Sequence, residues 1–198
     1  MPETHPPCGN RRDMERCSLT DTYAIRRAVI EDIEVLERLI ARSARTIGIE
    51  RYTAEQMETA LRGAFGVDSR LIADGTYFVA ECDAEIVACG GWSWRRTLFG
   101  GDKRADREVG DLDPRTDAAK IRAFFVDPRH VRKGLASALL ARCEAEAKAA
   151  GFLRLELMGT LTGETFYTVR GYVPTASVSY EAEPGAFIPF IAMSKNIA

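Results

Sequence analysis

Residues 124–151 read FFVDPRHVRKGLASALLARCEAEAKAAG. An apolar run, Phe124-Phe125-Val126, meets Asp127-Pro128, then a basic turn at Arg132-Lys133, then Gly134-Leu135-Ala136-Ser137 at the head of an amphipathic helix. A strand that enters a helix through a glycine turn leaves backbone N–H groups without partners. Together with the positive end of the helix dipole they bind a phosphate or pyrophosphate. Arg132 and Lys133 bring two positive charges to the same place, so the pattern predicts a phosphorylated cofactor. The alternative is an ordinary turn whose glycine allows tight packing. Neither GxxxxGK[ST] nor GxGxxG occurs around Gly134, which argues against ATP and NAD.

These residues resemble motif A of the GNAT (GCN5-related N-acetyltransferase) family, whose pattern is an apolar strand, V-x-P, then [Q/R]-x-x-G-x-[G/A] and a helix. The matching residues are Val126-Asp127-Pro128 and Val131-Arg132-Lys133-Gly134-Leu135-Ala136. Ala24-Ile25-Arg26-Arg27-Ala28 followed by Glu31-Asp32 resembles the family's first strand and helix start. Phe166-Tyr167 with Gly171-Tyr172 resembles its late "lYeklGF" motif. The resemblance extends over residues 23–194. Val131 departs from the usual Gln or Arg, a contact that Arg132 or Lys133 would have to supply. Thr160 departs from a frequent Asn. The resemblance implies acetyl-CoA, or another short acyl-CoA, as cofactor, held by Phe124, Phe125, Val126, Arg132, Lys133, Gly134, Leu135, Ala136, Ser137 and Thr160.

Moving an acyl group from a thioester to an amine needs a neutral amine, a polarised carbonyl with an oxyanion donor, and a proton for the departing thiolate. A phenol with pKa near ~10 is protonated at neutral pH. Tyr167 follows Phe166 on a predicted short helix. From pattern alone it either packs that helix or donates a proton; the resemblance makes it the general acid. The oxyanion donor would be a backbone N–H near Phe125 or Val126, where the family's strand carries a bulge. Glu81, at a strand end, is the candidate general base, against a solvated carboxylate beside a turn.

On the acceptor side, Trp92 and Trp94 alternate on one predicted strand and share a face. They either wall a pocket or pack under the polar segment that follows. Arg51 and Tyr52, between two predicted helices, sit where the resemblance to the GNAT family implies the other wall. Residues 95–116 carry Arg95, Arg96, Lys103, Arg104 and Arg107 among Asp102, Asp106, Glu108, Asp111 and Asp113. They read as a solvated loop or as a lid.

The chemistry so read is an N-acyltransferase using acetyl-CoA and a small amine. The second reading is a non-catalytic acyl-CoA sensor, and the third is acetylation of a protein lysine or N-terminus. Tyr167 favours the enzyme, and the long segment 95–116 would crowd a protein substrate.

The whole-chain properties fit this. A length of 198 residues suits one domain, here 21–198 behind a leader at 1–20. A net charge of -2 gives no electrostatic case for nucleic acid or an anionic membrane. No apolar stretch approaches the ~20 residues that span a bilayer. The leader lacks the apolar centre of a signal peptide. The five cysteines, Cys8, Cys17, Cys82, Cys89 and Cys143, match no zinc spacing, and with two histidines no metal site is expected. A reduced cytoplasmic protein is the simplest reading, and a homodimer is compatible with it.

The elements that position these residues follow from periodicity. Strands are predicted over 23–27, 77–81, 85–94, 120–126, 153–158 and from 172 onward. Helices are predicted over 31–43, 53–65 (Thr53 as N-cap with Gln56 in a capping box), 135–150 and 164–169. This is an α/β chain with a mixed sheet. The resemblance makes the sheet mostly antiparallel, flanked by helices, with a splayed parallel pair at 120–126 and 153–158 that admits the pantetheine arm.

Overall fold

The structure, a computed structural model, describes residues 23–104 and 107–198. The expected leader, with Cys8, Cys17 and His5, lies outside the described residues. Seven strands form one sheet: β1 (Tyr23–Arg27), β2 (Tyr77–Cys82), β3 (Glu85–Ser93), β4 (Ala119–Val126), β5 (Arg154–Thr160), β6 (Val173–Glu183) and β7 (Ala186–Asn196). Their order is β1-β2-β3-β4-β5-β7-β6, antiparallel throughout except for the parallel pair β4–β5. The helices are α1 (Ile33–Ile47), α2 (Ala54–Leu61), α3 (Ser69–Ala73), α4 (Leu135–Ala149) and α5 (Glu164–Thr168).

Local chemistry explains most boundaries. The β2–β3 turn is tight because Asp83 and Ala84 both take positive φ, 50° and 63°, as a two-residue hairpin turn of this hand requires. Thr53 caps α2: its hydroxyl accepts from Gln56 N–H at 3.1 Å, and the Gln56 side chain accepts from Thr53 N–H at 3.0 Å. The helix ends at Leu61 rather than at the expected residue 65, because Gly63 and Gly66 follow. The segment holding α3 had no expected element; five residues are too few to establish a period.

Residue alternation in β2 builds a core on each face of the sheet. Phe78, Ala80 and Cys82 face α4, where Leu139, Cys143 and Ala147 are sealed at four-residue steps. Tyr77 and Val79 face the layer of α1 and α2, with Leu36, Leu39, Ile40 and Met57. Fully burying a side chain such as Leu139 stabilises by about 1.5–3 kcal/mol.

The parallel pair is short. It holds only at Ala119↔Leu155, Lys120↔Glu156 and Ile121↔Leu157. Beyond these residues β4 stays paired with β3, and β5 with β7, so the two strands part. A bulge on β4 goes with the divergence. Cys89↔Phe125 and Gly91↔Arg122 are paired, so Ala123 and Phe124 together oppose Gly90. Ala123 has φ 54°, and bulges of this kind bend a strand.

Candidate active site

At one end of the gap lies the turn between β4 and α4. Asp127 is fully buried and caps the 3-10 turn Pro128–His130, accepting from Arg129 N–H at 2.9 Å. Burial pushes its pKa up, but the Arg129 bonds and the Arg42 charge outweigh that and hold it below the usual carboxylate range. Arg132 (φ 63°) and Gly134 (φ 83°) are both left-handed, a conformation that turns backbone N–H groups into a concavity. No side chain caps α4, and its first internal bond is Ala138 N–H to Gly134 O at 3.0 Å. The N–H groups of Leu135, Ala136 and Ser137 therefore have no partner in the helix. A Cβ built on Gly134 would meet nothing within 4 Å, so there is room against these donors. A pyrophosphate fits this donor set.

Arg132 lines the cleft, whereas Lys133 is exposed and does not. A third cation, not anticipated from the sequence, reaches the same place. The Arg170 guanidinium bonds Ser137 Oγ and the Phe166 carbonyl (3.0 Å), and lies 4.0 Å over the Phe166 ring. The basic residue before Gly171 was visible in the sequence, but nothing there placed it beside α4.

The gap itself is a cleft of about 570 Å³, within the usual range for a ligand site. Phe124, Phe125, Val126, Leu135, Ala136, Ser137 and Thr160 line it. Phe124 lies over Gly90, where any Cβ would come within 2.7 Å of the ring. Asp127 N–H donates to Val87 O at 2.8 Å, toward β3. Strand alternation therefore turns Val126 N–H to the opposite edge, toward the gap. Between the two amides named for the oxyanion, geometry favours Val126. Phe125 is paired with Cys89 on β3. The Thr160 hydroxyl is committed locally, accepting from Gly163 N–H and bonding Thr162 Oγ1, both at 3.1 Å.

Tyr167 also lines the cleft. Its ring meets Phe166, Tyr172 and Phe124 edge-on at 4.9, 5.6 and 6.4 Å. Burial raises its pKa well above the ordinary value of 10, so the phenol is protonated. Among the described residues its hydroxyl has no hydrogen-bond partner. No sealed side-chain oxygen there lacks one, so this oxygen opens to the cleft.

Other expected site residues stand elsewhere. Glu81 is not in the cleft lining; it accepts from Arg26 Nε at 2.9 Å, and Arg26 also holds Asp32. Trp92 and Trp94 do share a face, with rings 5.6 Å apart, but it is the α4 face. Trp92 is buried against Phe152 and reaches Glu146 at 3.5 Å, so neither indole walls the cleft. Alternation paired them correctly and could not tell which face the gap opens on. Arg51 is exposed and outside the lining. Tyr52 lines it, its hydroxyl donating to Pro189 O (2.7 Å) and accepting from Leu161 N–H (2.8 Å).

Beyond the bulge the cleft continues into the α1–α2 layer, among Met57, Phe65, Phe99, Phe125 and Phe190. Part of the polar segment contributes here: Leu98, Phe99 and Gly100 form one side. Beneath them Arg122 is buried, bonding Asp68 (3.0 Å), Thr97 O (2.8 Å) and Gly100 O (2.7 Å). Burial lowers its pKa.

Cys82, Cys89 and Cys143 are buried and form no disulfide among the described residues. Burial pushes the Cys89 thiol up to about 12 and raises that of Cys143, leaving them without thiolate character. Among the described residues there is no group of side chains suited to a metal, and no helix long and apolar enough to cross a membrane.

Known proteins share this architecture. A GCN5-related N-acetyltransferase from Rhodopseudomonas palustris superposes with a TM-score of 0.66 at 20% identity, over 92% of this chain and 100% of that one. PaiA N-acetyltransferase from Thermoplasma acidophilum, in complex with coenzyme A, gives 0.62 at 17% identity over 88% and 99%. The ribosomal-protein-S18-alanine N-acetyltransferase from Escherichia coli gives 0.56 at 16% over 89% and 95%. No curated protein sequence matches the chain significantly. The family model "Acetyltransferase (GNAT) family" matches residues 40–172, two thirds of the chain. With the splayed strands and the uncapped α4 turn, that match establishes that this chain belongs to the GNAT family of acetyltransferases, whose acetyl donor is acetyl-CoA.

Proposed function

We propose that the protein is an N-acetyltransferase that moves an acetyl group from acetyl-CoA to a small-molecule amine by direct attack in a ternary complex. The observation that carries this reading is one continuous cleft, running from the uncapped head of α4, through the β4–β5 gap, to an apolar chamber. Acetyl-CoA supplies an activated thioester, so no enzyme nucleophile is needed. The N–H groups of Leu135, Ala136 and Ser137, with Arg132 and Arg170, hold the pyrophosphate. Phe124 and Val126 flank the arm, and Val126 N–H donates to the oxygen that gains charge. Tyr167 gives its proton to the leaving sulfur. Positioning supplies much of the acceleration.

Glu81 is no longer favoured as base, because Arg26 holds it outside the cleft. Residues 21–198 act as one domain in this reading, and cysteines without a disulfide among the described residues agree with a reduced cytoplasmic setting. Residues 98–100 narrow the acceptor end, which favours a small molecule over a protein. Among the described residues no carboxylate lines the cleft, which favours a second reading, a non-catalytic acyl-CoA sensor. Free-thiol release from acetyl-CoA with a panel of amines and peptides separates them. Turnover with a small amine supports the enzyme, and tight binding without turnover supports the sensor.

A further inference from the structure

We infer that the acceptor is a primary amine on an apolar body of aromatic size, taken up as the free base. This rests on the acetyltransferase reading above and names its substrate class. Among the described residues no Asp or Glu lines the cleft. Its titratable side chains are Tyr52, Arg122, His130, Arg132, Tyr167 and Arg170. His130, Arg132 and Arg170 sit at the α4 end. Only Tyr52 and Arg122 reach the chamber beyond the bulge.

Neither offers an ammonium a negative charge. Burial raises the Tyr52 pKa and keeps it neutral, and its hydroxyl already donates to Pro189 O and accepts from Leu161 N–H. Arg122 is itself a cation, with its bonds committed to Asp68, Thr97 O and Gly100 O. Phe99, the ring that could have faced a cation, already carries the Arg104 guanidinium 4.0 Å from its centroid. Apart from Ser43, what remains is largely apolar surface and ring edges: Phe65 meets Phe125 at 5.5 Å and Phe190 at 6.1 Å, both edge-on. A flat apolar body packs well against such rings.

The same wall does the work of a base. An amine moved from water into an apolar chamber loses its charged form first, because desolvation disfavours the ion. The neutral amine's lone pair then forms the N–C bond as the C–S bond breaks. Sulfur takes the Tyr167 proton, and one amine proton passes through water to restore the phenol.

The test compares phenethylamine and tryptamine with spermidine and a lysine-containing peptide, using acetyl-CoA. In parallel, calorimetry measures binding of the N-acetyl products to CoA-loaded protein. Phenethylamine should exceed spermidine by about 100-fold in kcat/KM, and its acetyl product should bind more tightly. The rate should rise about tenfold per pH unit toward the amine's own pKa. Leu98→Glu, at a half-buried lining position, should shift preference toward spermidine. A preference for spermidine or the peptide in turnover or calorimetry overturns the inference, as does a rate that levels off well below the amine's own pKa, which would assign a base to the protein. An unchanged preference in Leu98→Glu also counts against it. If CoA binds and no amine turns over, the calorimetric preference alone decides the acceptor class. Failure to bind CoA at all instead removes the reading beneath it.

Discussion

The Tyr77 hydroxyl on β2 donates to the Ala123 carbonyl on β4 at 3.1 Å, across the intervening strand β3. Tyr77 is fully buried, and the Cys89 thiol approaches the same oxygen at 3.8 Å. Ala123 is held at φ 54°, a conformation that costs a non-glycine residue about 1–3 kcal/mol. Gly91 leaves the space for the Tyr77 ring, since a Cβ there would come within 2.6 Å of it. The hydrogen bond is thus part of what keeps the bulge, and with it the direction of Val126 N–H.

Tyr77→Phe should therefore act on chemistry more than on binding. The ring stays and only the donor is lost. We expect a stability loss of about 1 kcal/mol and a kcat reduced about tenfold or more. Acetyl-CoA affinity should remain within about twofold, because the α4 turn is untouched. Steady-state kinetics with calorimetry checks this. An unchanged kcat would mean that the bulge does not need this bond.

Tyr167→Phe removes the cleft-facing proton donor and keeps the edge-on packing with Phe124, Phe166 and Tyr172. The expected loss in kcat is at least about tenfold, with cofactor affinity nearly intact. In the unmodified protein burial raises the phenol pKa, so the proton is lost only as pH rises through that elevated value. The pH–kcat profile should show no descending limb below ~10, the ordinary tyrosine value. A limb centred near 8 would assign the acid to another group.

The buried ion pair under the chamber makes a stability prediction. Arg122 and Asp68 are each 2% exposed and 3.0 Å apart. Asp68→Ala leaves a buried guanidinium with carbonyl partners only, at an expected cost of about 3–5 kcal/mol. Urea denaturation measures it. A cost below about 1 kcal/mol would show that the Arg122 charge is already balanced elsewhere.

Arg132, in the β4–α4 turn, and Arg170, after α5, both line the α4 end of the cleft. Arg132→Ala and Arg170→Ala should each weaken CoA binding by about 1–3 kcal/mol, as expected for charge-assisted bonds. If neither changes the dissociation constant, the backbone N–H groups of α4 hold the pyrophosphate alone.

The strand–turn–helix unit of β4 and α4 was legible in the sequence because its signals are local. A glycine turn, a proline and a four-residue stripe all lie within residues 126–147, and the structure places them as β4, the turn and α4. The apolar chamber was not. Its wall comes from Met57 and Phe65 in and just after α2, Phe99 in the polar segment and Phe190 on β7, three stretches brought together only by the fold, and none carries a spacing that marks a pocket. That the face shared by Trp92 and Trp94 is the one α4 covers, and not the chamber side, is a tertiary fact. Glu81 looked available because its partner Arg26 is 55 positions away. The Arg170–Ser137 contact, between residues 33 positions apart, escaped for the same reason, whereas α3 is too short to show a period.

Calorimetric titration with acetyl-CoA, run beside Gly134→Glu, tests the reading of this cleft most directly. A glutamate there sets bulk and negative charge against the α4 N–H groups, at a residue with φ 83° and open space before it. Saturable binding to the unmodified protein and none to a folded Gly134→Glu variant is the expected result. No binding to the well-folded unmodified protein at millimolar acetyl-CoA, or equal binding by both proteins, would contradict it.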